Sequence, residues 1–143
     1  MSGPPRWVEP YLATPFIDRG RTFRGFDCFG LVRLVLLEEA RILLNQYGFV
    51  PANAQKQASD AIQRASKQLE LWKPFVLVEA QSLDVVPMFD RSGVFESHVG
   101  IMVSPTHVLH TEKTTGPVCL PLTNHDIVNR LVQPLVYRHR ELQ

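Results

Sequence analysis

One cysteine stands where a helix should begin, a position that can make a thiol nucleophilic. Cys28 lies in the run RGFDCFGLVRLV, directly after Asp27, a residue type that caps helix N-termini. The unpaired amides and positive dipole end there favour a thiolate, lower its pKa, and can donate to an oxyanion. Gly30 would leave open space beside the sulfur. A buried, unreactive side chain is nevertheless the more common role of a cysteine in this kind of position.

A cysteine nucleophile needs a base, and two of the five histidines have a suitable spacing. His98 opens the segment HVGIMV and His110 closes the segment HVLH, with a turn predicted at Ser104 and Pro105. If these segments form a hairpin centred on residue 104, His98 and His110 lie directly opposite each other on one sheet face. His98 would then be the base, and His110 would fix its tautomer. His107 should leave the opposite face.

The remaining cysteine and histidines are predicted to have no chemical role. Cys119, in the run VCLPL, is interpreted as a buried strand residue, and His125 and His139 as structural or solvent-facing side chains. A zinc site is not favoured, because His107 and His110 would face opposite sides of a strand and neither cysteine belongs to a C-x-x-C pair. We therefore expect no metal and no cofactor.

Hydrophobic periodicity predicts the elements that position these groups. Residues 28–44 are densely apolar, as expected of a central helix packed on more than one side. The stretch that begins at Asn53 and ends at Trp72 carries a single apolar stripe, which predicts an amphipathic surface helix. Beyond Pro74 the period becomes strand-like, and six strands are predicted at 75–79, 85–89, 98–103, 107–111, 118–122 and 135–140. Helices followed by antiparallel strands indicate an α+β domain after an irregular lead-in over residues 1–26.

Composition and charge exclude several classes of protein. The 143 residues, 45% hydrophobic and 20% charged, are typical of one folded domain spanning residues 1–143. The net charge of +1 does not match the basic surface of a nucleic-acid binder, and it gives no attraction to anionic membranes. Two distant cysteines do not make a disulfide scaffold. The first residues lack the pattern of a signal peptide, and the apolar runs are too short to span a bilayer.

Together these motifs resemble the NlpC-type papain-like cell-wall peptidases, and especially the versions encoded in tail modules of long-tailed phages. The matching runs are GFDCFGLVRLV, HVGIMV and VLHT, followed by YRHRE near the C-terminus. The resemblance implies a papain-like fold, in which the helix that carries the cysteine packs on an antiparallel sheet of five to six strands. It also implies Cys28 as the nucleophile, His98 as general base and acid, and His110 as the third member of the triad.

The function implied by the resemblance is that of a phage tail-tip cysteine peptidase that hydrolyses the peptidoglycan stem peptide during infection. Its partners would be peptidoglycan and other tail-tip or hub proteins, with no nucleic acid and no membrane. It would be made in the host cytoplasm and act in the virion. An amidase cutting the sugar-to-peptide bond is a close variant, and a tail-tip assembly component with dispensable activity is the alternative. Lipid acyltransferases of the wider superfamily carry the histidine before the cysteine, which argues against them.

Three positions depart from the family pattern. Phe16 follows Pro15 where many relatives have a tyrosine whose hydroxyl lies near the reacting centre. Phe29 follows the cysteine where cell-wall members often have serine, and it matches the aromatic choice of the phage group. Leu83 and Asp84 stand where a Gly-Asp pair usually precedes the second strand. These departures leave the triad whole and bear on rate and substrate. The amphipathic stretch from Asn53 matches no family motif, so it either caps the core or docks a partner.

Overall fold

The computed structural model describes residues 3–44 and 71–143, and the fold is given for these two ranges. The N-terminal segment contains a 3-10 turn, the short helix α1 and a small antiparallel hairpin, before the long helix α2. Their bounds are Arg6–Val8 for the turn, Glu9–Leu12 for α1, Arg21–Thr22 for β1, Gly25–Phe26 for β2 and Cys28–Ala40 for α2. The irregular lead-in is therefore confirmed, and the hairpin is a feature that sequence periodicity did not indicate.

Six further strands form a single antiparallel sheet, in the spatial order β3-β8-β4-β5-β6-β7. Their bounds are Trp72–Val76 for β3, Val85–Met88 for β4, His98–Met102 for β5, His107–Glu112 for β6, Gly116–Pro121 for β7 and Leu135–His139 for β8. Short helical segments follow β3, β7 and β8: the 3-10 turn Leu77–Glu79, helix α3 at His125–Val128, and the 3-10 turn Arg140–Leu142. The predicted α+β domain, with the cysteine helix on an antiparallel sheet, is confirmed.

The central strands of the sheet, β4, β5 and β6, are buried on both faces: successive residues point to opposite sides, and both sets are buried. On one face α2 packs against Val99 and Ile101 of β5 and against Leu109 of β6, all fully buried. On the other face Met102 and Val108 belong to a second apolar cluster that α3 helps to cover. Within the two described ranges, no helix is long and apolar enough to cross a membrane.

Helix α2 ends at Ala40, and the prediction that it continues through residue 44 is wrong. Arg41 adopts a left-handed conformation with φ of 58°, and its amide donates to the carbonyls of Leu36 and Leu37. The amide of Ile42 also donates to the carbonyl of Leu36, at 3.0 Å. The bond from the Arg41 amide to the Leu37 carbonyl is typical of the αL type of helix end, and the apolar residue that follows packs on the core. Ile42 is buried in that way, so the apolar run of the sequence continues beyond the last residue of the helix.

Strand β3 begins earlier than predicted, and Pro74 lies inside it rather than before it. Proline lacks an amide donor, but β3 is an edge strand of the sheet and has neighbours on one side only. Trp72, predicted as the end of the amphipathic helix, is the first residue of this strand. Residues 53–70 of that predicted helix lie outside the described residues, and Leu71 is in a turn.

The turn before β4 contains a leucine in a left-handed conformation. Leu83 has φ of 75°, in the region where glycine is the least strained residue. Asp84, which follows, is fully buried and forms a bidentate ion pair with Arg138 of β8. The Nε and Nη2 atoms of Arg138 lie 2.7 and 2.8 Å from the two carboxylate oxygens. The pair fixes the start of β4 against β8.

Replacing Arg138 with methionine should lower the free energy of unfolding by about 3–5 kcal/mol, because it leaves the buried Asp84 carboxylate without its cation. Urea unfolding followed by circular dichroism measures the effect. Arg140→Met, at an exposed arginine two positions further on, is the matched control and should change stability by about 0.5 kcal/mol or less. Equal losses for the two variants would contradict a stabilising role for the ion pair.

Candidate active site

The predicted nucleophile occupies the first position of α2, as its place after Asp27 indicated. The Asp27 side chain caps the helix by accepting a hydrogen bond from the amide of Gly30 at 2.7 Å. The same carboxylate accepts from the guanidinium of Arg21 at 2.8 Å and from the amide of Arg19 at 3.1 Å. The cap is therefore tied to the N-terminal hairpin, which holds the start of α2 in place.

Gly30 has a different role from the one predicted. A Cβ atom at this position would lie 2.0 Å from the carbonyl oxygen of Gly20. The glycine is therefore required for the close approach of the N-terminal segment to α2, rather than for open space beside the sulfur. Phe16 and Asp18 precede this contact in the chain, and both line the cleft that contains Cys28.

The structure contradicts the prediction that the Cys28 thiol has a lowered pKa. Burial raises its pKa to about 12, and the negative charge of Asp27 raises it further. The amides of Val99 and Phe29 favour the thiolate, but their effect is smaller than that of burial. Burial also raises the pKa of Cys119, to about 11. The helix N-terminus alone does not make Cys28 the more acidic thiol, because desolvation of the charged sulfur outweighs the dipole.

The two histidines predicted to act together are in contact. The Nε2 atom of His98 lies 2.8 Å from the Nδ1 atom of His110, and the rings are nearly perpendicular with centroids 5.0 Å apart. Both side chains are buried, at 6% and 1% exposed. Since Nε2 of His98 is engaged by His110, the Nδ1 atom of His98 is the ring nitrogen left to exchange a proton with a reacting group.

The contact is diagonal, and the prediction that His98 and His110 lie directly opposite each other is wrong. The ladder pairs Ile101 with Leu109 and Met102 with Val108, a shift of two residues from the predicted register. The amide of Val103 donates to the carbonyl of His107, so the turn is a three-residue loop centred on Pro105 rather than on residue 104. A shift of two residues keeps every side chain on its face, so the histidines still meet.

Both imidazoles are held in the neutral form. Burial lowers the pKa of His98 to about 3, and the charges of His110 and Arg130 lower it further. Burial lowers the pKa of His110 to about 4. The Glu112 carboxylate raises this pKa, and the charge of Arg130 lowers it. A neutral imidazole can accept a proton, so the resting pair is ready to act as a base near neutral pH.

The thiol approaches the histidines around the start of β5. His98 and His110 project from the sheet face that carries Met102 and Val108, whereas α2 covers the other face. The Cys28 sulfur lies 4.0 Å from the carbonyl oxygen of Ser97, the residue before His98. Cys28 and His98 line one open cleft of about 330 Å³. The predicted nucleophile and base therefore share a cleft, at the point where the helix start meets the strand start.

Alkylation should show that the resting thiol is neutral. We expect the rate at which iodoacetamide modifies Cys28 to rise about tenfold per pH unit through pH 7–10, without a plateau near neutrality, because burial disfavours the thiolate. The rate is measured by mass spectrometry in the Cys119→Ser variant, where Cys28 is the single remaining cysteine. A plateau between about pH 4 and pH 8 would instead reveal a thiolate–imidazolium pair in the free protein.

Sequence reasoning missed a group of charged residues beside the histidines. Glu112 ends β6 and forms ion pairs with Arg130 and Arg91. Asp126 of α3 also pairs with these two arginines, at 3.4 and 3.5 Å. Hydrogen bonds from Arg130 and Arg91 lower the pKa of Glu112 to about 2, although burial alone would raise it. Strand alternation could have placed Glu112 on the face of His110, but the arginines come from distant segments.

Three donor groups lie close enough to be considered as a metal site. Ligand atoms of His98, His110 and Glu112 all fall within 4.8 Å of one another. The two imidazoles hydrogen-bond to each other, however, and Glu112 is already paired with Arg130 and Arg91. Two guanidinium charges at this point disfavour a bound cation. The donor set does not fit a metal centre, and the expectation of no metal stays a prediction.

The other candidate residues have structural surroundings. Cys119 lies in β7 and is half-buried. His107 projects away from the histidine pair, and its ring lies 2.9 Å from the Thr106 hydroxyl. His125 is exposed at the start of α3. His139 packs edge-on against Trp72, with ring centroids 5.2 Å apart.

Comparison with known proteins identifies the fold. No protein-family profile matches this chain, and no curated protein sequence matches it. The structure is similar to the NlpC/p60 domain of the peptidoglycan hydrolase SagA, with a TM-score of 0.59 and 16% identity over 92% of both chains. It is also similar to a protein of Staphylococcus aureus subsp. aureus Mu50 described as similar to a lipoprotein of the NLP/P60 family. That likeness has a TM-score of 0.58 and 20% identity, and it covers 90% of this chain and 37% of the other. The chain therefore has the NlpC/p60 form of the papain-like fold.

Proposed function

We propose that this protein is a cysteine peptidase that hydrolyses peptide bonds of the peptidoglycan stem peptide. Cys28 is the nucleophile, His98 the general base and acid, and His110 the residue that orients His98. The observation that carries the proposal is that His98, hydrogen-bonded to the buried His110, lines the same cleft as Cys28. The similarity to NlpC/p60 domains, one of which is described as part of a peptidoglycan hydrolase, supports the choice of substrate.

The first step starts from neutral groups. The sulfur of Cys28 attacks the carbonyl carbon of the scissile peptide bond, and its proton passes to Nδ1 of His98. The Nε2–H group of His98 donates to Nδ1 of His110, which leaves Nδ1 of His98 as the proton acceptor. Because the raised pKa of the thiol and the lowered pKa of the imidazole both oppose early charge separation, the proton moves as the carbon–sulfur bond forms.

The start of α2 stabilises the charge that develops on the carbonyl oxygen. Asp27 caps the amide of Gly30, so the amides of Cys28 and Phe29 are the donors that the first helical turn directs at the oxyanion. Phe16 lines the same cleft and has no hydroxyl to contribute. The chain therefore relies on backbone donors at this point, where the relatives with tyrosine have a side-chain hydroxyl as well.

The tetrahedral intermediate then collapses. The carbon–nitrogen bond breaks, His98 returns its proton to the leaving amine, and the acyl group remains on sulfur as a thioester. A water molecule next attacks the thioester carbonyl, and His98 accepts one of its protons. The carbon–sulfur bond breaks, the new carboxylic acid leaves, and the proton on His98 restores the thiol. The cycle consumes one peptide bond and one water.

The charges that line the cleft suit a peptide with ionised groups of both signs. Asp18 and Asp90 provide carboxylates, and Arg91 and Lys113 provide cations. Stem peptides contain free carboxylates and the amine of a diamino acid, so both kinds of side chain have partners on the substrate. The presence of both acidic and basic side chains in the cleft supports a zwitterionic peptide, rather than a polyanion, as the substrate.

Digestion of purified peptidoglycan tests the proposal. We expect muropeptides shortened by cleavage within the stem peptide, each hydrolysis creating a new amino terminus that amine labelling and mass spectrometry detect. Release of intact stem peptides from the sugar would instead identify the amidase variant of the reaction. If no fragment forms from sacculi or from isolated muropeptides between pH 5 and pH 9, the proposed activity is wrong.

We further propose that the peptidase acts at the tip of a phage tail, with other tail-tip or hub proteins as partners. Support comes from the cysteine-containing run, where Phe29 has the aromatic character of the phage group; its ring is buried beneath the Arg21 guanidinium. In the alternative, the domain serves mainly in tail assembly. Particles that carry Cys28→Ala separate the two roles: impaired infection of thick-walled cells by normally assembled tails supports the peptidase, and unimpaired infection supports the assembly role.

A further inference from the structure

Four charged side chains form a closed ring at the wall of the cleft. Glu112 pairs with Arg130 and Arg91, and Asp126 pairs with the same two arginines. The inner members are buried, with side-chain exposures of 7% for Arg130 and 10% for Glu112. The outer members are open to solvent, at 40% for Asp126 and 50% for Arg91. The inner pair therefore acts where charges are least screened.

The inner pair lies against the histidines. Glu112 follows His110 by two residues on β6, so both project from the same sheet face. The ligand atoms of Glu112, His98 and His110 fall within 4.8 Å of one another, a separation that allows strong Coulomb interaction. The side chain of Arg130 is fixed by its Nε atom, which donates to the carbonyl of Phe89 at 3.1 Å. The charges of Glu112 and Arg130 therefore change the electrostatic potential at the two imidazole rings in opposite directions.

We propose that Glu112 is a positioning residue that stabilises the imidazolium formed on His98 in each step, and that Arg130 sets the strength of this effect. The inference rests on the proposed function, since it assigns a role within that reaction. The charged and titratable groups that face the histidine pair come from several elements: Cys28 from α2, Asp90 and Arg91 from the segment after β4, Glu112 and Lys113 from the end of β6, and Asp126 and Arg130 from α3 and the turn after it.

The physical reason is charge compensation in a buried site. His98 must become positive when it takes the thiol proton, and burial opposes that charge. The Glu112 carboxylate raises the pKa of His98 and His110, whereas Arg130 and Arg91 lower it. Without Glu112 the two guanidinium groups would be compensated only by the more exposed Asp126. The carboxylate therefore keeps the imidazole basic enough to accept a proton.

Four variants test the inference: Glu112→Gln, Arg130→Gln, the double variant, and Asp126→Asn as the matched control on the same arginines. Histidine ring titration by NMR measures the pKa of His98 and His110 without any substrate, and kcat/KM for muropeptide hydrolysis measures the effect on catalysis. We expect Glu112→Gln to lower the pKa values of both histidines. It should also decrease kcat/KM by about 10- to 100-fold. Arg130→Gln should raise the pKa values of the histidines and so move the acid limb of the pH profile to higher pH. The double variant should regain most of the activity that Glu112→Gln loses.

The sign of the two shifts separates this role from a merely structural one. Loss of packing would lower activity in both single variants and leave the histidine pKa values unmoved, which would overturn the inference, as would shifts of the same sign. Asp126→Asn should produce less than half the shift of Glu112→Gln, and an equal shift would also overturn it. Should Glu112→Gln fail to fold with Arg130 unpaired, Arg130→Gln and the double variant carry the test. If the wild type releases no peptide yet the histidine shifts have opposite signs, the proposed substrate is wrong, and the opposite effects of Glu112 and Arg130 on the histidines still stand.

Discussion

Cys28→Ala is expected to abolish hydrolysis of peptidoglycan, with kcat/KM reduced by a factor on the order of 10⁴–10⁶. Without the sulfur no thioester can form, and the oxyanion donors and the cleft retain only the catalysis that positioning of water provides. The loss should appear in kcat, since the walls of the cleft remain in place. Muropeptide cleavage followed by chromatography measures it.

The fold should tolerate this substitution. Cys28 is half-buried, and its hydrogen bond to the Ser97 carbonyl is long, at 4.0 Å. Asp27 still caps α2, so we expect the unfolding free energy to change by about 1 kcal/mol or less. Cys119→Ala, at a half-buried cysteine on β7, is the matched control and should keep full activity. Residual cleavage above about one per cent in Cys28→Ala would show that another group is the nucleophile.

His98→Ala is expected to have the second largest effect, a decrease in kcat/KM on the order of 10⁴. It removes the proton acceptor for the thiol, and the raised pKa of Cys28 means that a spontaneous thiolate is scarce near neutral pH. His110→Ala should cost less, on the order of 10²–10⁴, since it leaves the base but removes the group that sets its tautomer and orientation. His110→Asn, which keeps a hydrogen-bonding side chain, should restore part of the activity.

His107→Ala provides the control for these histidine variants, because His107 lies on the same strand as His110 and projects from the other face. Its activity should stay within about threefold of the wild type. Circular dichroism and thermal unfolding establish that each variant is folded. If His110→Ala and His107→Ala prove equally active, His110 does not orient the base, and the pair would reduce to a single catalytic histidine.

Local chemistry in the sequence was sufficient to predict where the side chains of the proposed triad lie in the fold. An aspartate directly before Cys28 predicted the start of α2, since capping depends on neighbouring residues alone. The even spacing of His98 and His110 predicted that both leave one face of a hairpin. That prediction survived an error in the register, because a slip of two residues preserves the face of every side chain.

Only the tertiary structure decided the register, the end of α2 and the state of the thiol. The backbone of the turn at Pro105 set the pairing of β5 with β6, and the return of Ile42 to the core ended the helix at Ala40. The dipole of α2 is a local property, whereas the burial that raises the pKa of Cys28 comes from the core against which the residue packs. Glu112 meets Arg91 and Arg130 because the sheet brings distant segments together. Desolvation and long-range charge pairing depend on which segments surround a group in space, and the local sequence pattern does not contain that information.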